Sequence, residues 1–223
     1  MGAPDRVPTL AADSLEVGYG NGPIVVAAHE LVLSQGELVA LVGDNGAGKS
    51  TLLRALAGLL SPRAGQVRIA GHPLDSVEAR RELTYLGDTP VFYDGISVEE
   101  NLDFTARLHG LDGLRHHPVV DRLGVRALSD SLPSRLSRGQ RQRAALAMAL
   151  ARPWRVALLD EPLTGLDAST RAGLVALLGE FCRSGRTVLA ATHEPEIISA
   201  AHRTLALVDG RLGPGFQPVG RPT

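Results

Sequence analysis

The 223-residue chain predicts an α/β protein with a parallel sheet and a helical insertion, and three observations carry that class. Short apolar runs alternate with helical patterns along most of its length, as expected of strands joined by crossover helices. Glu37 to Val42 (ELVALV) passes straight into a glycine-rich turn and then into TLLRALAGLL, where Leu52, Leu53, Leu56, Leu59 and Leu60 recur at helical spacing. The middle third, about residues 90–151, keeps helical patterns and loses strand patterns.

The elements follow in order. Ser14 to Ser34 alternates residues and turns in the manner of antiparallel strands, and Arg63 to His72 repeats turn–strand–turn, with Val67 and Ile69 alternating between Gly65 and Gly71. Val98 to Leu111 places Leu102, Leu108 and Leu111 on one helical face, and a loop runs from Asp112 to Pro118. Helix resumes near Val119 and again from about Gln140 to Arg152. VALLD (156–160), a helix carrying Leu174, Leu177, Leu178 and Phe181, and TVLAAT (187–192) return to the α/β pattern. Residues 213–223 read as a frayed tail.

Composition narrows the function. With 23 basic and 24 acidic side chains, the net charge of −1 argues against binding to bulk nucleic acid or anionic lipid. One cysteine, Cys182, excludes an intrachain disulfide and favours a reducing compartment. The first ten residues lack a secretory apolar core, and the longest apolar run, Ala144 to Ala151, is far short of the roughly 20 residues a spanning helix needs. The chain alone is expected to be soluble and cytosolic.

The basic side chains comprise 22 arginines and one lysine. That lysine stands in Gly43–Asp44–Asn45–Gly46–Ala47–Gly48–Lys49–Ser50, which fits the phosphate-loop pattern G-x-x-x-x-G-K-[ST]. Glycines let backbone amides curl around phosphate oxygens, and the following helix, entered through Thr51, adds its positive end. Lys49 would reach the β- and γ-phosphates and Ser50 would hold Mg²⁺. An accidental match of a single lysine to all three conditions has roughly a 1 in 700 chance. A guanine-reading Asn-Lys-x-Asp motif would need a second lysine, so the nucleotide expected is ATP.

Further motifs follow in fixed order: Leu136–Ser137–Arg138–Gly139–Gln140 before a helix, VALLDEP, Gly165–Leu166–Asp167, and Thr192–His193. Over nearly its whole length the sequence resembles the ATP-binding subunits of ABC transporters. The resemblance implies a RecA-like P-loop NTPase fold: an α/β core at about 8–89 and 152–212, an N-terminal antiparallel β subdomain, and a helical subdomain at about 90–151. Together these make one domain, 8–212.

The resemblance also implies roles. Asp160 would hold Mg²⁺ through water, Glu161 would act as general base on the attacking water, and His193 would contact the γ-phosphate. Tyr19 sits where the family stacks an aromatic on adenine. Ser137, Gly139 and Gln140 would close over the γ-phosphate bound to a second ATP-binding subunit, identical or homologous, with Asp167 coupling the two sites. Arg138 departs from the commoner LSGGQ form. YLGDTPVFYDGISVEENL aligns with the region where the family carries a glutamine that touches the metal; Asp88 falls there, or Thr89 if the register slips by one, and Asp88 is expected to ligate the metal or its water. The stretch to about Leu102 would form the groove for a membrane-spanning partner.

GDNGAGKS, YLG, ENLDFTARLHG and the short length look most similar to haem-exporter ATPases and other small exporter subunits. An exporter subunit is expected, held at the inner face of the cell membrane by its partner, with no nucleic acid bound. The alternative is a soluble ABC-type ATPase acting on DNA or ribosomes, a class that usually carries coiled-coil insertions or tandem ATPase domains. His116–His117 reads as an exposed loop pair, Cys182 as packing, and Trp154 as the anchor of the turn into VALLD.

Overall fold

The computed structural model describes residues 8–215. Its strands are β1 (Pro8–Gly18), β2 (Ile24–Ser34), β3 (Leu38–Val42), β4 (Ala64–Ile69), β5 (His72–Pro73), β6 (Leu83–Leu86), β7 (Val156–Asp160), β8 (Thr187–Ala191), β9 (Arg203–Val208) and β10 (Arg211–Pro214). They form one sheet in the order β5-β4-β1-β2-β10-β9-β3-β8-β7-β6. One half, β5-β4-β1-β2, is antiparallel. The other, β9-β3-β8-β7-β6, is parallel. β10 joins them, antiparallel to β9 and touching β2 at a single register position, Arg211 opposite Ala27.

The helices are α1 (Lys49–Leu56), α2 (Val77–Glu82), α3 (Val98–Leu108), α4 (Pro118–Arg122), α5 (Arg138–Leu150), α6 (Ala168–Arg183) and α7 (Pro195–Ala200). Along β3, Leu38 and Ala40 enter one apolar cluster while Val39 and Leu41 enter another on the opposite face. β7 and β8 divide the same way, which is why their runs are apolar without alternation. α1 fills the face shared with the antiparallel strands, and α3 to α6 fill the other. Between β6 and β7 the described chain holds helices only.

Three expectations are corrected. α1 stops at Leu56 because Gly58, at φ 72°, turns the chain out of the helix. Leu59 is accordingly 66% exposed instead of extending the helical stripe. α3 ends at Leu108, which is 68% exposed, and Gly110 at φ 68° follows. The predicted tail starts too early, because Gly213 and Pro214 pair with Ala206 and Leu205 in β10; residues 216–223 of that tail lie outside the described residues.

Trp154 anchors the entry to β7 as expected. It is buried, packs edge-on to Phe181 at 5.0 Å and donates its indole N–H to the Leu150 carbonyl. Burial pushes the Cys182 thiol up to about 12, so it stays protonated and packs as an apolar group.

Candidate nucleotide site

The phosphate loop joins β3 to α1. A Cβ on Gly43 would stand 2.4 Å from the Leu207 carbonyl oxygen, so β9 leaves room for glycine only. Gly48, the residue before α1, sits at φ 104° with Val26 of the hairpin pressed against it. These two contacts press the loop against β9 and β2.

Lys49 is buried and curls back, donating from Nζ to the Gly43 carbonyl at 2.6 Å and to the Asp44 carbonyl at 3.2 Å. Its ammonium is therefore already held over the loop's interior. Asp160, at the end of β7, is 1% exposed and hydrogen-bonds Ser50. Burial pushes its carboxyl above the usual range; the Ser50 hydroxyl opposes this, and the neighbouring charges of Asp88 and Glu161 add to it. Its Oδ2 is buried with no hydrogen-bond partner. An orphaned carboxylate oxygen beside a hydroxyl at the phosphate loop fits a hard cation.

A cavity of about 250 Å³ is lined by Val25, Asn45, Gly46, Gly48, Lys49, Ser50, Thr51, Asp88, Asp160 and Glu161. The structure thus brings most of the sequence-predicted residues to one place. Gly43 and Asp44 join through their carbonyls on Lys49, and Ala47 packs from the loop against the apolar core. Tyr19, half exposed, hydrogen-bonds Thr51 at 3.2 Å between hydroxyls. His193 is mostly exposed, its Nδ1 3.1 Å from Oε1 of Glu161. Among the described residues no three His, Cys, Asp or Glu side chains form a cage for a metal. Mg²⁺ ordinarily takes one or two carboxylates and completes its shell with phosphate oxygens and water.

Asp88 follows β6 and reaches the cavity, with Arg54 of α1 3.8 Å away. Sequence reasoning missed Arg54, although its place four residues past Ser50 sets it on the helix leading from the loop. Val25 gave no signal, because it lies on β2, remote in sequence from the loop, and meets it only where β2 packs against Gly48. A groove of about 550 Å³ opens on the other side of Asp88, between α1, β6 and α5.

Ser137, Gly139 and Gln140 do not line the 250 Å³ cavity. They form the start of α5, where Ser137 accepts from the Gln140 amide and Gln140 Oε1 accepts from the Ser137 amide. Gly139 lies against the Gly165 carbonyl, with 2.4 Å left for a Cβ. Asp167 caps α6, and hydrogen bonds from the Ser169 hydroxyl and from Thr170 hold its carboxyl down at about 2. His116 is exposed, and His117 caps α4 through its ring nitrogen.

A glycine loop between a central parallel strand and a helix, facing a buried carboxylate and a serine, defines a P-loop nucleotide-binding site. Residues 27–164 match the family model described as ABC transporter. The thiamine import ATP-binding protein ThiQ of Cereibacter sphaeroides is 38% identical over 183 residues, 79% of this chain and 79% of that protein. The aliphatic sulfonates import ATP-binding protein SsuB of Pseudomonas putida is 38% identical, covering 92% of this chain and 74% of that one. The macrolide export ATP-binding/permease protein MacB of Rhodospirillum rubrum is 35% identical across 96% of this chain, which spans about a third (35%) of that protein's length. Among solved structures, an ATP-binding subunit of an ABC transporter superposes with TM-score 0.84 at 28% identity, covering 92% of this chain and 90% of that one. A dimeric post-hydrolysis ATP-binding cassette with ADP and Pi shares the fold, with TM-score 0.85 at 24% identity, covering 95% of this chain and 100% of that one.

The chain belongs to the ABC transporter family. It is an ATP-binding, ATP-hydrolysing subunit that uses Mg²⁺.

Proposed function

We propose that this subunit powers an exporter, as one of two ATP-binding subunits that sandwich two MgATP and move a membrane-spanning partner. The observation that carries the two-subunit reading is the separation within one chain. Lys49, Ser50, Asp160 and Glu161 share a cavity, while Ser137 and Gly139 sit outside it on α5. One chain therefore supplies half of each site. Tyr19 stacks on adenine, and the loop amides and Lys49 hold the phosphates; Ser50 with Asp160 would hold Mg²⁺, whose charge would offset that of the phosphates. Glu161 takes the proton of the attacking water, and His193 orients Glu161 and meets the γ-phosphate. Asp88, which lines the same cavity, would ligate the metal or its water. Ser137, Gly139 and Gln140 close on the second subunit's nucleotide.

The groove beside Asp88 and the exposed Val91 and Tyr93 next to it support docking of the membrane partner there. No described helix is long and apolar enough to cross a membrane. The chain would be held at the inner membrane face by its partner. Outward transport rests on the likeness of GDNGAGKS, YLG and ENLDFTARLHG to small exporter ATPases, while the relatives named above include both importers and an exporter.

Affinity purification from detergent-solubilised membranes tests the partnership. A polytopic protein recovered with this chain is the expected result; ribosomes or DNA in its place would overturn it. Inverted vesicles carrying the recovered complex then test direction, since an exporter accumulates substrate inside them on addition of MgATP and an importer does not.

A further inference from the structure

Arg171, in the first turn of α6, is used by none of the roles above, yet it binds two loops at once. Its Nη1 and Nη2 donate to the two carboxylate oxygens of Glu194 at 2.8 and 2.9 Å, a two-pronged fit. Nη1 also reaches Glu196 at 3.3 Å. Nε donates to the Leu166 carbonyl at 3.2 Å. Leu166 belongs to the Gly165–Asp167 loop after β7, whereas Glu194 directly follows His193 in the loop after β8. The Glu194 carboxylate is only 15% exposed, and its own amide donates to Thr192. One guanidinium thus ties the loop that meets the second subunit to the residue adjoining His193, whose ring meets Glu161.

We propose that Arg171 is a positioning residue that sets the His193–Glu161 contact according to the position of the Gly165–Asp167 loop. A planar fork bound on three sides is stiff, and a flexible ammonium is not. Displacement of the loop by a second subunit shifts Leu166, Arg171 and Glu194 together, and His193 is carried with them. Closure of the dimer is thereby reported to the reacting end of the same chain. The inference rests on the reading that His193 and Glu161 flank the γ-phosphate.

The test uses the full chain and three variants, Arg171→Ala, Arg171→Lys and Glu194→Ala, with ¹⁵N-histidine NMR and steady-state ATPase assays. Arg171→Ala should shift the ring signals of His193 and leave those of the other six histidines in place. It should also lower kcat about tenfold with little change in KM, since misplacement by fractions of an ångström costs rate more than binding. Arg171→Lys should restore thermal stability but not rate. Arg171→Ala combined with Glu194→Ala should lose no more rate than the worse single change, because both cut one linkage. A parental His193 spectrum and parental kcat in Arg171→Ala would overturn the proposal, as would additive losses in the double variant. A Glu161→Gln protein that keeps parental turnover would instead remove the catalytic reading and leave the NMR linkage standing.

Discussion

The Glu161 carboxylate and the His193 ring meet at 3.1 Å, and Glu161 makes that contact from a left-handed backbone, φ 46°. A non-glycine residue held there carries strain that persists because the surroundings impose it. Its amide donates to the Ala191 carbonyl on the neighbouring strand, which fixes the turn. The strain therefore aims a carboxylate at the mouth of the phosphate cavity. Glu161→Gln keeps the shape and removes the basic oxygen. Turnover should fall at least about 100-fold, the usual contribution of a general base. ATP binding by fluorescence titration should be unchanged, and the MgATP-bound protein should elute as a dimer. Parental turnover would refute the assignment.

Asp160 gives a pH signature. Its carboxyl is pushed above the reference 3.8 chiefly by burial, so the folded state disfavours its charged form. The group contributes no penalty below 3.8 and a growing one as pH rises toward its raised value, after which the penalty is constant. Asp160→Asn removes the penalty. Without Mg²⁺ the variant should melt higher than the parent at pH 7.5, by about 2–4 °C for each kcal/mol relieved. The gap should close as pH falls toward 4. Mg²⁺ with ATP should stabilise the parent more than the variant. A gap independent of pH would place the effect elsewhere.

Much of this site was legible in the chain because its parts are local. Gly43 to Ser50 and VALLDEP each lie within one strand-to-turn junction; the pattern of the first points to a phosphate loop by itself, and the resemblance points to Asp160 and Glu161 in the second. Helix ends were less legible: the leucine spacing runs through Leu59, and only the left-handed Gly58 shows that α1 has stopped. Arg171 and Glu194 stand 23 positions apart on separate elements, with no periodic pattern linking them. Two paired parallel strands bring their loops together, and that pairing is a property of the sheet.

Asp88 stands where the resemblance calls for glutamine, and Arg54 lies 3.8 Å from it with both side chains substantially exposed. Solvent weakens such a pair, so its effect on the nucleotide should be modest. Arg54→Ala should weaken ATP binding a few-fold by leaving Asp88 uncompensated near phosphate. In an Asp88→Gln background the same change should have a smaller effect, the remainder coming from the loss of Arg54's hydrogen bonds to Tyr85 and Tyr19. Raising salt from 50 to 500 mM, which screens exposed charges, should shrink the difference between parent and Arg54→Ala. Equal losses in both backgrounds would show that Arg54 acts independently of Asp88.

Gly139 tests the link between α5 and the Gly165–Asp167 loop. A Cβ there would stand 2.4 Å from the Gly165 carbonyl oxygen, a backbone atom that cannot swing aside. Gly139→Ala should cost about 1–3 kcal/mol of stability, typical of an overpacked contact. Turnover should fall further than stability explains, because the start of α5 must shift from the position it offers a second subunit. Ser137→Ala, which loses the side-chain cap but adds no clash, should melt closer to the parent. If Gly139→Ala matched the parent in both melting and turnover, α5 would not be held by that loop.

Lys49 is the single lysine beside 22 arginines, so chemistry at its amine can be read without interference from other side chains. Its Nζ is held by the Gly43 and Asp44 carbonyls, 2.6 and 3.2 Å away, in a space sized for a compact ammonium. A guanidinium is planar and wider, and its donors point in a fixed fork. Lys49→Arg keeps the charge yet should abolish measurable ATP binding, so the parent and variant separate charge from shape. An amine-selective reagent should modify the N-terminus quickly and Lys49 slowly. MgATP should protect Lys49 and leave N-terminal modification unchanged, as read by peptide mass spectrometry. Modification of Lys49 at the same rate with and without MgATP would mean that the nucleotide's phosphates do not rest on this loop.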